Sequence, residues 1–280
     1  MMRKPHDSRP PQGGLALPGA QKRMHPNTFV RALLLFAALA PIAASAGAQF
    51  SAVTRNEMTG GRFPAFGNSS VRGAVEGDRG RLEYLAGGIG SLPKGTVVVT
   101  TDGARTQKVY NVEEHTCGDS TSAPGSTPMR AQAASLARYE NLDVQKTLDE
   151  TGPKIHGIAT RHLRYAITYD VHAGDAAKPV HGTIDSELWL APTLSDAAFG
   201  LWLAAAPRTG NPDADQRIAA GMGDARGAAL KRVQRTSVQP EGGKAQATTS
   251  TLEVTKLAIG RHGDKALAPP FTCRNTPSGR

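Results

Sequence analysis

The chain lacks most of the signatures by which a sequence announces its chemistry. It has no G-x-S-x-G elbow, no Walker loop and no Rossmann glycine fingerprint, which removes the commonest hydrolase, NTPase and dinucleotide-binding arrangements. The histidines from residue 100 onward, His115, His156, His162, His172, His181 and His262, form neither H-x-x-x-H nor H-E-x-x-H, the spacing that puts two imidazoles on one helical face for zinc. Ser91-Leu92-Pro93-Lys94 matches S-x-x-K in letters only. That motif needs Ser at a helix start with Lys one turn on, whereas Pro93 and Gly95 lead into a Val-rich run and the S-D-N and K-T-G companions are missing. From these residues no enzymatic activity, cofactor or metal site is expected. Cysteine is nearly absent too: Cys117 and Cys273 are the whole supply, and none lies near residue 48 to carry a lipid anchor.

Long apolar runs are also missing, with one short exception. Arg31 precedes the stretch 32–44 (ALLLFAALAPIAA), too short for a membrane span of roughly 20 residues. A basic flank, a short apolar run and small residues at its exit read as a secretory signal peptide, 24–48, with Met24 as a second candidate start. Ala46-Gly47-Ala48 places cleavage before Gln49, and Ala44-Ser45-Ala46 is the alternative. Residues 49–280 are then one β-rich domain in the periplasm or outside the cell, with no transmembrane span.

The net charge of +9 invites a nucleic-acid reading, but the leader supplies much of it. Six basic residues and one acid precede Gln49, which leaves +4 for the remainder. No basic run with interleaved aromatics occurs, so nucleic acid is excluded as a partner. In an oxidising compartment two cysteines allow one intramolecular bridge, Cys117–Cys273, tying the C-terminal segment to the first half.

What the chain does have is alternation. In 159–171, Leu163, Tyr165, Ile167, Tyr169 and Val171 fall on one side and His162, Arg164 and Thr168 on the other, the period of a strand with one buried face. Asp102-Gly103 between β-branched 96–101 and 104–112 reads as a hairpin, because type I′ turns need positive φ. Gly77-Asp78 separates 71–75 from 81–85, Ala173-Gly174-Asp175 turns toward 182–190, and Glu241-Gly242-Gly243 joins 230–238 to 247–259. Short sequential connections without a βαβ rhythm imply a mainly β, antiparallel sheet with minor α content.

Helices are the minority. Thr193-Leu194-Ser195-Asp196 has a capping-box pattern, and the apolar run after it predicts a helix over 194–205, buried because it is apolar nearly all round. Asn211-Pro212, with Asp213 and Asp215, starts a second. A third is expected over 128–139, following a polar loop at 118–127.

The alternating segment Gly157-Ile158-Ala159-Thr160-Arg161-His162-Leu163-Arg164-Tyr165, followed by Glu187-Leu188-Trp189-Leu190-Ala191-Pro192, resembles a hairpin of periplasmic domains related to the LolA/LolB-like lipoprotein-carrier superfamily. Leu267-Ala268-Pro269-Pro270-Phe271 resembles their closing segment. The resemblance implies a curved antiparallel sheet or unclosed β-barrel covered by two or three helices. It implies, too, a concavity for a hydrophobic or acylated ligand or an envelope protein partner. Leu163, Tyr165, Ile167, Tyr169, Leu188 and Trp202 are the lining candidates. The Cys117/Cys273 pair and the loop after Gly118 depart from the true carriers.

Overall fold

Alternation extends further along the chain than the sequence announces. In a computed structural model, residues 47–59, 67–87, 92–120, 137–173, 178–239 and 242–273 are described. They form β1 (Ala48–Thr59), β2 (Ser69–Glu76), β3 (Arg79–Ala86), β4 (Thr96–Thr100), β5 (Gln107–Asn111) and β6 (Thr116–Ser120). After these come β7 (Ala137–Ile155), β8 (Ile158–Ala173), β9 (Val180–Ala191), β10 (Ala228–Gln239) and β11 (Gln246–Ile259). The order across the sheet is β6-β5-β4-β3-β2-β1-β11-β10-β9-β8-β7, every neighbour antiparallel. Two meanders are therefore joined at their middle by one non-local pair, β1 with β11. The sheet is open, with β6 and β7 at its ends.

Register shifts at Ser51/Ala52, Ser70/Val71 and Ala229/Lys231 bend the strands that carry them, since an extra residue on one strand increases local twist. The curved sheet presents a concave inner face. Phe50, Leu82, Tyr84, Val98, Leu252 and Val254 form one buried cluster there, together with Phe199, Leu201 and Leu203. Leu163, Tyr165, Ile167, Tyr169, Ile184, Leu188 and Leu190 form a second with Ile218 and Met222. Close packing sets two glycines: a Cβ at Gly73 would stand 2.3 Å from the Phe50 ring, and one at Gly182 2.3 Å from the Tyr169 ring.

The C-terminal segment supplies a third cluster. After the short helix Asp264–Leu267, Phe271 packs edge-on against Tyr110 with ring centroids 5.3 Å apart, and Cys273 is bonded to Cys117 of β6. Val97, Val99 and Tyr110 are buried under this strap, so all five residues of β4 are buried, from both sides. The cysteines pair as the compartment argument expects.

Four expectations need correction. The helix over 194–205 is only a 3-10 turn, Ala197–Leu201. The Asp196 carboxylate, which a capping box would spend on its own helix, instead accepts the Gly77 N–H at 2.9 Å in the β2–β3 turn. The chain beyond it then runs extended enough for Leu203 O to accept the Ala229 N–H. The last residues of the helix expected over 128–139 begin β7, and 128–136 lie outside the described residues. Asp102-Gly103 sits in a six-residue connection rather than a two-residue turn. There Asp102 accepts from the Thr106 N–H and hydroxyl and from the Thr100 hydroxyl, which closes a wider loop. By contrast, the helix Pro212–Gly221 starts as expected: Asn211 Oδ1 accepts the Ala214 N–H at 3.0 Å. Residues 118–120 of the expected polar loop are instead the end of β6, paired with β5. The segment before Gly47, Ser91, residues 121–127 of the polar loop, Gly174-Asp175 and Glu241 lie outside the described residues.

Candidate functional site

Two pieces of chain lie over the concave face: 194–206, with its 3-10 turn, against β2 and β3, and the helix Pro212–Gly221 against β7. Between them is a hollow of about 310 Å³. Its walls are Leu194, Ser195, Asp196, Phe199, Leu203, Ala204, Ala205 and Ala206 from the first piece, and Ala219, Met222 and Ala225 from the second and the turn after it. Small side chains keep it open. Asn211 caps the helix, Gly221 packs its Cα against Val144, and Met222 closes the last turn.

The six residues singled out from the sequence divide. Leu163, Tyr165, Ile167 and Tyr169 alternate inward along β8, and Leu188 faces Leu163 from β9. These five form one cluster beneath Ile218 and Met222, and Met222 also lines the hollow. Trp202 goes to the other cluster, where its ring meets Tyr84 edge-on at 5.5 Å. The structure thus brings five together and sets the sixth apart, and none of the six lines the hollow itself.

Tyr165 is held at its tip. Its hydroxyl donates to Asp224 Oδ1 at 2.6 Å, and Asp224 also accepts from Lys146 Nζ at 2.7 Å and Arg161 Nη2 at 3.0 Å. Asp149 completes the group, accepting from Arg161 Nε at 2.8 Å and from Lys146. Hydrogen bonds from Arg161, then Lys146, hold the Asp149 carboxyl down to about 2. Those from Lys146 and Tyr165 hold Asp224 well below the usual carboxylate range. Burial, followed by the Asp224 hydrogen bond, raises the Tyr165 phenol, and burial pushes Tyr169 up to about 12. Both phenols are therefore neutral at any physiological pH.

Sequence reasoning missed the charged groups on the concave side. Arg232 of β10 occupies the inward cross-strand row Leu163–Leu188–Arg232–Leu252–Thr54. Its Nη1 donates to Ala204 O at 2.9 Å, and Arg208 Nη2 reaches Gly200 O at 3.5 Å. Both carbonyls belong to residues that wall the hollow. Further along the same face Gln234, Thr236, Thr248 and Ser250 make a half-exposed polar strip, while Ser186 is buried with its hydroxyl unpartnered. The inward parity of Arg232 was the available signal, within a strand otherwise read only for its length.

The convex face is different. His162 joins Glu150 (Nδ1, 2.9 Å) and Glu187 (Nε2, 2.7 Å), stacks on Trp189 at 4.6 Å, and Lys231 lies over the same indole. This is a ladder of cross-strand side-chain pairs, and it occupies His162 as a polar-face histidine. Among the described residues no three His, Cys, Asp or Glu side chains gather as a metal-binding set, and no helix is long and apolar enough to cross a membrane. No family model and no curated protein matches the chain.

Proposed function

We propose that this protein is an exported, non-enzymatic binding protein that holds a hydrophobic or acylated ligand in a hollow between the segments that cover the concave sheet. The observation that carries the reading is the hollow itself: about 310 Å³, walled mainly by Leu, Phe, Met and Ala side chains from both covering segments, with Ser195 and Asp196 as its polar side chains. Ligand sites run from roughly 300 to 1,000 Å³ and are mostly apolar, so this one suits a single acyl chain rather than a bundle of three. The resemblance of 157–165 and 187–192 to the lipoprotein-carrier hairpin points the same way. The Cys117–Cys273 bridge fits an oxidising compartment, as export through a signal at 24–48 requires. Native mass spectrometry of the protein, mildly extracted from the envelope, should show a bound lipid mass. A bare mass, with no uptake on titration with lipid, removes the reading.

A second reading rests on β7. This end strand of 19 residues is largely exposed, and its outer edge has no strand beside it among the described residues. Such an edge accepts an added strand, which is how an envelope protein partner would be read. Recovery of one stoichiometric protein and no lipid from envelope extract would favour it.

A further inference from the structure

Arg232 is out of keeping with its row. Leu163 and Leu188 on one side are fully buried and Leu252 on the other is nearly so, yet the middle of the row is a guanidinium. Arginine offers five N–H donors, and here one hydrogen bond, to Ala204 O, is made. Arg208, an exposed side chain, is a second cation close enough to repel the first, and its one hydrogen bond is the long contact to Gly200 O; both guanidiniums stand behind the lining of the hollow rather than in it. Among the described residues neither guanidinium forms an ion pair with a carboxylate. Asp215 faces Arg208, but its oxygens accept from the Thr209 N–H, the Thr209 hydroxyl and the Gly210 N–H. Taking a charge out of water is costly unless an opposite charge and hydrogen bonds replace the solvent. Arg232, half-buried among leucines, bears that cost, and the exposed Arg208 adds a second positive charge beside it, so an anion attached to something greasy would answer both.

We propose that Arg208 and Arg232 receive the anionic headgroup, carboxylate or phosphate monoester, of a single-chain amphiphile whose tail enters the hollow between 194–206 and the helix Pro212–Gly221. The proposal rests on the reading of that hollow as a ligand site and names the ligand's chemistry. The guanidinium fork matches two oxygens of a carboxylate or phosphate at once. Burial first, and Arg208 second, pull Arg232 down to about 10, a strain on its charged form that a bound anion relieves. The apolar wall next to the two carbonyls takes the chain, so head and tail are recognised within one span.

Calorimetric titration of the protein, as the cell processes it, with laurate, dodecyl phosphate and dodecanol tests this. One or both anions should bind at least about tenfold more tightly than the alcohol, the worth of a charge-assisted hydrogen bond. Which of the two binds more tightly identifies the headgroup. Arg208→Gln should lower anion affinity by about tenfold and leave dodecanol unchanged. Arg232→Lys keeps the charge but loses the fork, and should weaken the anions by a smaller factor. Equal affinity for alcohol and anions, or an Arg208→Gln variant that loses all three ligands alike, overturns the anion site and leaves the hydrophobic-ligand reading standing. No binding of any of the three removes both.

Discussion

The strap that closes with Cys273 is the most quantitative test of how this sheet is held. Cys117 and Cys273 are 156 residues apart in sequence. On the chain-entropy model a bridge over so long a loop restricts the unfolded chain by about 5 kcal/mol, an upper figure. That is large against the 5–15 kcal/mol or so of a typical domain. The tail has other anchors: Phe271 on Tyr110 and His115, Leu267 buried, and the Arg79–Asp264 pair at 3.0 Å. Urea unfolding of a Cys117→Ala/Cys273→Ala variant should show a midpoint shifted down by a few kcal/mol equivalent, with a steeper denaturant slope because the unlinked unfolded chain exposes more surface. Reductant added to the native protein should reproduce the shift. Phe271→Ala leaves the bridge intact and removes a half-buried ring, so about 2 kcal/mol is expected, below the usual cost for a fully buried Phe. Hydrogen exchange should quicken first in β4–β6, because Val97 and Val99 lose their cover. If the double variant unfolds at the same urea concentration as the parent, the bridge restrains nothing that the sheet does not already hold, and the account of the strap is wrong.

Two further outcomes follow from sites already described. Gly47 O accepts the Gly260 N–H at 2.8 Å and Ala48 is fully buried as the first residue of β1, so cleavage after Ala46 preserves the strand whereas cleavage before Gln49 cuts into it. If the protein is exported as proposed, N-terminal sequencing of the mature chain should read Gly-Ala-Gln-Phe, the alternative site rather than the one first expected; a start at Gln49 contradicts this. Acid should destabilise the protein through Asp149 and Asp224, whose carboxyls are held down in the folded state by Arg161 and Lys146. A depressed carboxyl stabilises fully above its unfolded value of about 3.9 and loses that contribution as pH falls toward the folded one, so melting temperature should drop between about pH 4 and 2. Asp149→Asn/Asp224→Asn should flatten that drop, and an unchanged slope would assign the acid sensitivity elsewhere.

The legible parts of the fold were those where one face is dry. β8 announces itself because Leu163, Tyr165, Ile167 and Tyr169 all point inward. The β10–β11 and β2–β3 hairpins announce themselves through turn glycines, of which Gly242 and Gly77 adopt positive φ. β7 stayed hidden because an end strand needs no apolar face: its 19 residues are mostly exposed or half-exposed and carry Asp, Glu, Lys and Gln at nearly every outward step. β1 stayed hidden for another reason, since Ala48, Phe50 and Ala52 adjoin the apolar leader and read as its tail. The segment 194–206 misled because apolar composition reports burial, not helicity. Phe199, Leu201 and Leu203 are buried as expected, but around one 3-10 turn whose Asp196 serves a neighbouring hairpin. The arginines escaped because β10 was not read for parity, which alone sets Arg232 in the row of Leu188 and Leu252.

The β1–β11 pair also decides when this protein can exist. Thr255 Oγ1 bonds Ser51 O across 204 residues of chain, and the whole of β1 is matched to β11 in this way. The first strand made must wait for almost the last before its second edge is covered. The cluster of Phe50 and Leu82 with Leu230 and Leu252 draws on both meanders, so its assembly is governed by one late, long-range encounter, the kind of topology that folds slowly. During that interval the bare edge of β1 is a template for the wrong chain. Yield in refolding should therefore depend more on dilution than on time, and a chain stopped before residue 246 should give an aggregating half-sheet rather than a smaller domain.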